Sequence, residues 1–196
     1  MSTQAPDPFT TLLDLDSGSL DPERKVAERR LSDMAGMYLE RSADGTADTV
    51  VYSVNEIPVP TTNSNLMSST TVIQPGMVGR EYYMTKGHFH EVRDRAEIYI
   101  GLSGEGRLVM TKEDGDYTVE TMRRGTVNYV PGGWAHRSVN VGDGPLVFFA
   151  VYPGDAGYDY GTIEEEGFPV LVVAGEDGPE VVPNPRYKGA AASEAG

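Results

Sequence analysis

The sequence predicts an all-β protein, a single-domain sandwich or barrel, and three observations favour this class. From residue 49 onward, short segments that suit strands alternate with turn signals such as Glu113-Asp114-Gly115-Asp116 and Gly142-Asp143-Gly144. The chain contains 23 Gly and 13 Pro, which suits many tight turns. Its 196 residues fit one domain of ordinary size and are too few for two large ones.

The elements follow from local patterns along the chain. A short N-terminal helix is predicted over about 22–35, with Asp21 as its N-cap, Pro22 as its first residue and Gly36 at its end. Residues 1–20 are expected to form an arm, 21–188 the folded domain and 189–196 a flexible tail. The segments rich in β-branched and aromatic residues are predicted strands. They are 49–54, 70–74, 81–85, 96–102, 106–112, 117–122, 126–130, 136–141, 146–152 and 169–173.

Charge and composition narrow the possible partners. The formal net charge is −14, so neither nucleic acid nor an anionic membrane is an expected partner. There are no cysteines, which excludes disulfides and thiolate ligands. The N-terminus lacks the pattern of a signal peptide, and the longest apolar run, 146–152, is far shorter than the roughly 20 residues that span a bilayer. A soluble, cytoplasmic protein is therefore predicted. An anionic substrate would need a local positive site to overcome the overall repulsion.

The three histidines of the chain fall in two short strings. The strings are Gly87-His88-Phe89-His90 and Pro131-Gly132-Gly133-Trp134-Ala135-His136. On a strand, His88 and His90 would point to the same face and Phe89 to the other. Together with Glu97 and His136 they would offer three nitrogens and one oxygen. That donor set suits a divalent transition metal such as Fe, Mn, Ni, Co or Zn.

These strings resemble the two sequence motifs of the cupin family. The second motif is matched by Gly125, Pro131-Gly132-Gly133, His136 and Asn140, and the first by His88, His90, Glu97 and Gly104. The resemblance implies a double-stranded β-helix, or jelly-roll barrel. The sequence departs from the first cupin motif in two ways. Tyr82 stands where the motif usually opens with glycine, and the spacing from His90 to Glu97 is longer than in most cupins. Because the glutamate would come from a neighbouring strand, loop 91–95 could bulge outward while the ligands stay in place.

Within the cupins, the stretch 83–187 resembles the cupin-type, metal-dependent phosphoglucose isomerases. The matching segments are Thr85-Lys86-Gly87-His88-Phe89-His90, Asp94-Arg95-Ala96-Glu97-Ile98-Tyr99, Tyr129-Val130-Pro131, Trp134-Ala135-His136-Arg137, Tyr152-Pro153-Gly154-Asp155-Ala156-Gly157, Asp159-Tyr160-Gly161-Thr162-Ile163 and Asn184-Pro185-Arg186-Tyr187. The resemblance implies interconversion of glucose 6-phosphate and fructose 6-phosphate, in glycolysis and gluconeogenesis. It also implies one divalent metal per chain, with iron preferred over Mn, Ni, Co or Zn, and a homodimer.

The resemblance also assigns roles to individual residues. Glu97 is the expected base that carries a proton between C1 and C2 through an enediol, although a metal beside it should lower its pKa and weaken it as a base. A metal-assisted hydride shift remains open. Thr85 and Gly87 are expected to bind the phosphate, with Tyr52 and Thr71 completing the set, and Lys86 should point away from Thr85 and Gly87. The remaining expected substrate contacts are Tyr99, Tyr152 and Tyr160. Each tyrosine taken singly could equally be a packing residue.

Three other functions remain possible at this stage. A metal-dependent cupin dioxygenase could use the same ligand set, but the flanking segments are rich in Thr and Tyr, which favours a sugar. A non-catalytic sugar-binding cupin often lacks one or more ligands, whereas this chain has all four. An isomerase or epimerase for another sugar phosphate, such as mannose 6-phosphate, is poorly separated by sequence alone.

Overall fold

The computed structural model of the protein describes residues 7–22, 25–40, 47–62 and 65–189. Within them the chain forms short strands and two short helices. The strands are β1 (Leu12–Leu13), β2 (Leu20–Asp21), β3 (Lys25–Arg30), β4 (Val50–Glu56), β5 (Leu66–Ile73), β6 (Met77–Val78), β7 (Glu81–Tyr82), β8 (Glu97–Ser103), β9 (Glu105–Thr111), β10 (Tyr117–Arg123), β11 (Val127–Val130), β12 (Ala135–Asn140), β13 (Leu146–Pro153), β14 (Val170–Gly175) and β15 (Gly178–Pro183). The helices are α1 (Leu31–Met34) and α2 (Gly161–Glu166).

Three sheets enclose one hydrophobic core. The largest has six strands in the order β11-β8-β13-β5-β4-β3. The other two have the orders β10-β9-β12 and β15-β14-β7-β6. All three contribute to a single cluster of buried apolar side chains, which includes Val51, Ile73, Leu108, Val139, Val170 and Val172. The prediction of an all-β, single-domain barrel is confirmed.

Each of the ten predicted strands has a counterpart, although 81–85 keeps regular pairing only at Glu81–Tyr82. The segment that follows runs beside β12 through isolated bridges, Met84 to Val139 and His88 to His136. The sequence analysis did not predict the short strands β1, β2 and β6, the strand β15 or helix α2. Strands β1, β2 and β6 have two residues each, β15 contains two prolines, and half of α2 is glutamate, so none of them shows a clear apolar period.

The N-terminal helix needs correction in its extent. Only Leu31–Met34 is helical, whereas Lys25–Arg30 forms strand β3, which pairs antiparallel with β4. Asp21 lies in β2 and does not cap a helix. Residues 23 and 24 of the predicted helix lie outside the described residues. Apolar residues over so short a stretch fit a helix face or a strand. Residues 25–30 form a strand because pairing with β4 provides hydrogen-bond partners for backbone groups along the edge of the sheet.

The two ends of the chain are described only in part. In the expected arm, β1 pairs with β2, and Thr70 Oγ1 on β5 donates a hydrogen bond of 2.6 Å to the Gly18 carbonyl. Residues 1–6 of the arm, and the expected tail apart from Gly189, lie outside the described residues. Neither helix in the described part of the chain has the length and apolarity that crossing a membrane requires.

Candidate active site

The predicted metal ligands come from three separate parts of the barrel. His88 and His90 lie on the extended segment between β7 and β8, Glu97 is the first residue of β8, and His136 is the second residue of β12. The backbones of His88 and His136 exchange hydrogen bonds of 3.3 and 3.0 Å, which fixes the two imidazoles side by side. Phe89 is only 2% exposed and packs in the core, as expected from the alternation of side chains.

The four side chains converge tightly. One ligand atom from each of His88, His90, Glu97 and His136 lies within 4.8 Å of all the others. Glu97 Oε2 is 3.2 Å from His90 Nε2 and 3.1 Å from His136 Nε2. The three imidazoles form a compact triangle, in which the ring centroid of His88 lies 4.5 Å from that of His136 and 5.6 Å from that of His90, and those of His90 and His136 lie 5.3 Å apart.

The protonation states of the cluster follow from burial and mutual charge. Burial alone would raise the pKa of Glu97, but its contacts with His136 and His90 more than offset this and hold that pKa at about 2. Glu97 is therefore ionised at neutral pH. Burial, reinforced by the neighbouring His136, holds the pKa of His88 well below its usual 6.5, so this imidazole is neutral. Burial would also lower the pKa of His90, but the contact with Glu97 outweighs it and raises that pKa.

The cluster fits a divalent metal. Among the described residues, His88 Nε2 and His136 Nε2 are buried nitrogens without a hydrogen bond, since the 3.1 Å contact of His136 Nε2 with Glu97 Oε2 lacks the alignment of one. Such an arrangement is costly unless something binds the two nitrogens. His90 Nδ1 lies 2.8 Å from the Arg95 carbonyl and can donate to it, which leaves Nε2 as the ligand atom. Three imidazole nitrogens and one carboxylate oxygen are a typical donor set for Fe, Mn, Co, Ni or Zn.

Gly87 shapes the turn that leads into the ligand pair. Its φ is +76°, a conformation that disfavours residues with a side chain. A Cβ atom there would lie 2.6 Å from the Phe168 ring and 3.0 Å from the His136 carbonyl oxygen. Glycine is thus required both for the backbone conformation and for the close packing of Phe168 behind the histidines.

A cavity of about 280 Å³ opens beside the ligands and has His88, Glu97 and His136 in its wall. Every residue that the sequence analysis assigned to the substrate also lines it. These residues are Tyr52, Thr71, Thr85, Gly87, Tyr99, Tyr152 and Tyr160. Burial raises the pKa of Tyr99 well above 10 and that of Tyr52 to about 12, so both keep their protons at neutral pH.

The cavity also contains residues that the sequence analysis missed. Arg29 and Ala27 enter it from β3, and Glu56 from the end of β4. Tyr158 lines it too, with its hydroxyl 2.8 Å from that of Tyr152, which also donates to Glu56 over 3.2 Å. Arg29 was missed because residues 22–35 were predicted to form a helix and not a strand of the barrel. Tyr158 could have been found by its alternation with Tyr160, since the two rings stack 5.8 Å apart.

Three further cations near the ligands, Arg93, Arg95 and Lys86, are paired with acids. Arg93 contacts Asp159 at 2.6 Å and Glu113 at 3.1 Å. Arg95 makes two hydrogen bonds to Asp155, of 2.9 and 2.8 Å. These pairs hold loop 91–95, which bulges between His90 and Glu97. Lys86 pairs with Glu164 of α2 at 3.0 Å and does not line the cavity, in agreement with the alternation of side chains.

The chain is similar to known proteins over most of its length. Residues 28–184 match the family model described as glucose-6-phosphate isomerase (GPI). A glucose-6-phosphate isomerase from Pyrococcus horikoshii is 45% identical over 186 residues, which cover 93% of this chain and 98% of that protein. The enzyme of the same name from Pyrococcus furiosus is 44% identical over 186 residues, with the same coverage of 93% and 98%. Among solved structures, oxalate decarboxylase from Bacillus subtilis aligns with a TM-score of 0.42 and 26% identity, over 55% of this chain and 26% of that chain.

Proposed function

This chain belongs to the cupin-type glucose-6-phosphate isomerase family, and from that membership we propose that it interconverts glucose 6-phosphate and fructose 6-phosphate. The proposal depends most on one observation. The His88, His90, Glu97 and His136 cluster adjoins the same cavity that all seven expected substrate residues line. A metal there and a bound sugar would therefore be neighbours.

The isomerisation moves one proton between C1 and C2 of the open-chain sugar and a second between O1 and O2, so that the carbonyl group changes carbon. When bound by the four ligands, a divalent cation supplies a Lewis acid that polarises the carbonyl group. In this proposal Glu97, which is ionised, takes the proton from one carbon and returns it to the next. Its low pKa makes it a weak base in the resting protein. Loosening of Glu97 from the metal and from its imidazole neighbours as the substrate oxygens bind would remove the contacts that keep that pKa low.

The other cavity residues would bind and orient the substrate. Thr71, Thr85 and Tyr52 offer hydroxyl groups for the phosphate oxygens, and Gly87 leaves room for an oxygen to approach the backbone. The protonated phenols of Tyr99 and Tyr160 can donate hydrogen bonds to sugar oxygens, and Tyr152, which donates to Glu56, can accept one from a sugar hydroxyl. Val54, Phe148 and Ala150 line the same cavity and help to exclude water from the reacting carbons.

The lining of the cavity also bears on the alternatives. Hydroxyl-bearing side chains dominate its polar part, which suits a sugar better than the apolar substrate of a dioxygenase. The complete ligand set favours an enzyme over a sugar-binding module. We also propose iron as the resident metal, a homodimer as the assembly and the cytoplasm as the location.

The test is conversion of fructose 6-phosphate to glucose 6-phosphate before and after chelation, with Fe(II), Mn(II), Ni(II) or Zn(II) restored. Turnover should vanish with the chelator and return with metal. Two parallel assays test the alternatives. One measures conversion of mannose 6-phosphate, and the other measures oxygen consumption, which a dioxygenase would show. If the folded, metal-loaded protein does not convert fructose 6-phosphate but is active in one of the parallel assays, the proposal is wrong. The function shown by that assay then replaces it.

A further inference from the structure

The cavity must attract a doubly charged anion into a protein of net charge −14. The sequence analysis supplied only neutral hydroxyls and the metal for this task. The structure adds a cation, because Arg29 lines the cavity together with Tyr52, Thr85 and Gly87. A guanidinium group matches the geometry of phosphate oxygens and can donate two parallel hydrogen bonds to them.

The position of Arg29 follows from the register of the sheet. Strand β3 pairs antiparallel with β4, and Arg29 lies directly opposite Tyr52. Directly paired residues in an antiparallel sheet present their side chains on the same face. Arg29 therefore shares the cavity face with Tyr52, one of the residues expected to bind the phosphate.

The guanidinium of Arg29 is not committed to an acid. Among the described residues its hydrogen bonding is limited to a bond of 3.3 Å from Nη1 to the Glu28 carbonyl, and no carboxylate oxygen lies within 4.0 Å of it. Arg93 and Arg95, by contrast, are each paired with two acids. Arg29 therefore keeps free donors at the wall of a cavity, where a bound anion could accept from them.

Arg29 on β3 and Glu56 on β4 place opposite charges at different points of the cavity. Glu56 lies four residues beyond Tyr52 on the same strand and the same face, about 13 Å away along the chain. It accepts a hydrogen bond from Tyr152. One end of the cavity is thus positive and the other negative, so an elongated sugar phosphate is favoured in only one direction.

We propose that Arg29 binds the phosphate group of the substrate and selects phosphorylated sugars over neutral ones. The inference rests on the proposed function for the identity of the sugar, but the anion-binding role can be tested without turnover. The probes are sorbitol 6-phosphate, inorganic phosphate and neutral sorbitol, measured by calorimetry on metal-loaded protein. The variant Arg29→Gln should lower the affinity for sorbitol 6-phosphate and for inorganic phosphate by about 10- to 100-fold. Its affinity for sorbitol should equal that of the parent.

Arg107→Gln is the matched control. Arg107 is also a half-buried strand arginine that donates to the preceding carbonyl, at 2.9 Å, but it does not line this cavity. Its variant should bind all three probes as the parent does. Arg29→Lys keeps the charge without the two-pronged geometry and should fall between the parent and the Gln variant. If Arg29→Gln does not fold, the phosphate affinity of Arg29→Lys relative to the parent tests the role of Arg29.

Turnover separates this inference from the proposed function. In Arg29→Gln, the KM for fructose 6-phosphate should rise about 10- to 100-fold, with a smaller change in kcat. If the parent has no isomerase activity but Arg29→Gln still loses phosphate affinity, the isomerase proposal fails and the anion site stands. Equal affinity of parent and Arg29→Gln for sorbitol 6-phosphate would overturn the role of Arg29.

Discussion

Replacing Gly87 with alanine should damage stability and activity together. The φ of +76° costs a residue with a side chain about 1–2 kcal/mol. The new Cβ would also lie 2.6 Å from Phe168 and 3.0 Å from the His136 carbonyl oxygen. Such overpacking costs about 1–3 kcal/mol more. The free energy of unfolding should therefore fall by about 2–5 kcal/mol, which lowers the Tm by roughly 4–20 °C in a chain of this size.

Gly125→Ala isolates the backbone effect. Gly125 has a φ of +85°, but a Cβ there would meet no described atom within 4 Å. Its variant should lose only about 1–2 kcal/mol and keep its turnover. Thermal unfolding and the fructose 6-phosphate assay on both variants make the comparison. Equal Tm losses in the two variants, or full activity in Gly87→Ala, would refute the packing argument.

Further predictions concern the ligands and one nearby acid. His88→Ala and His136→Ala should lose both bound metal and turnover, measured by elemental analysis and assay; full metal content in either would remove that residue from the site. Glu97→Gln should keep some metal but lose turnover, and retained turnover would eliminate Glu97 as the base. The Arg93 contact holds the pKa of Asp159 at about 2, below the usual 3.8. This contribution to stability should be complete above pH 4 and disappear as the pH falls toward 2, so the Tm gap between parent and Asp159→Asn should close over that range. A gap that stays constant would contradict the assignment.

The ligand set was predictable because its spacing is a local property of the chain. His88 and His90 are separated by one residue, so alternation is enough to place them on a common face. That Glu97 and His136 join them was implied by the resemblance to the cupin motifs, and in the structure a long-range bridge between His88 and His136 brings the two strings together. The core strands were also predictable from a local pattern. Ladders such as β13 with β5 and β8 consist mainly of β-branched and aromatic residues.

The missed residues depend on tertiary contacts. Arg29 faces the cavity only because β3 pairs with β4, and no local signal in residues 25–30 favours that pairing over a helix. A glutamate is ordinarily expected at the surface, yet Glu56 lines the cavity and accepts a hydrogen bond from Tyr152, which is distant in the chain. Long-range pairing thus brings Arg29 and Glu56 to the cavity without any motif to announce them, whereas the metal ligands lie in two short motifs that the sequence displays.

The most direct test of the account is a metal titration of chelator-stripped protein, with bound metal and fructose 6-phosphate turnover measured in the same samples. Turnover should rise in proportion to bound metal and level off at one metal per chain. The Glu97→Gln variant should bind metal in the same titration without gaining turnover. Full turnover by the stripped protein, or no turnover at one metal per chain, would contradict the claim that this cluster and cavity form a metal-dependent isomerase.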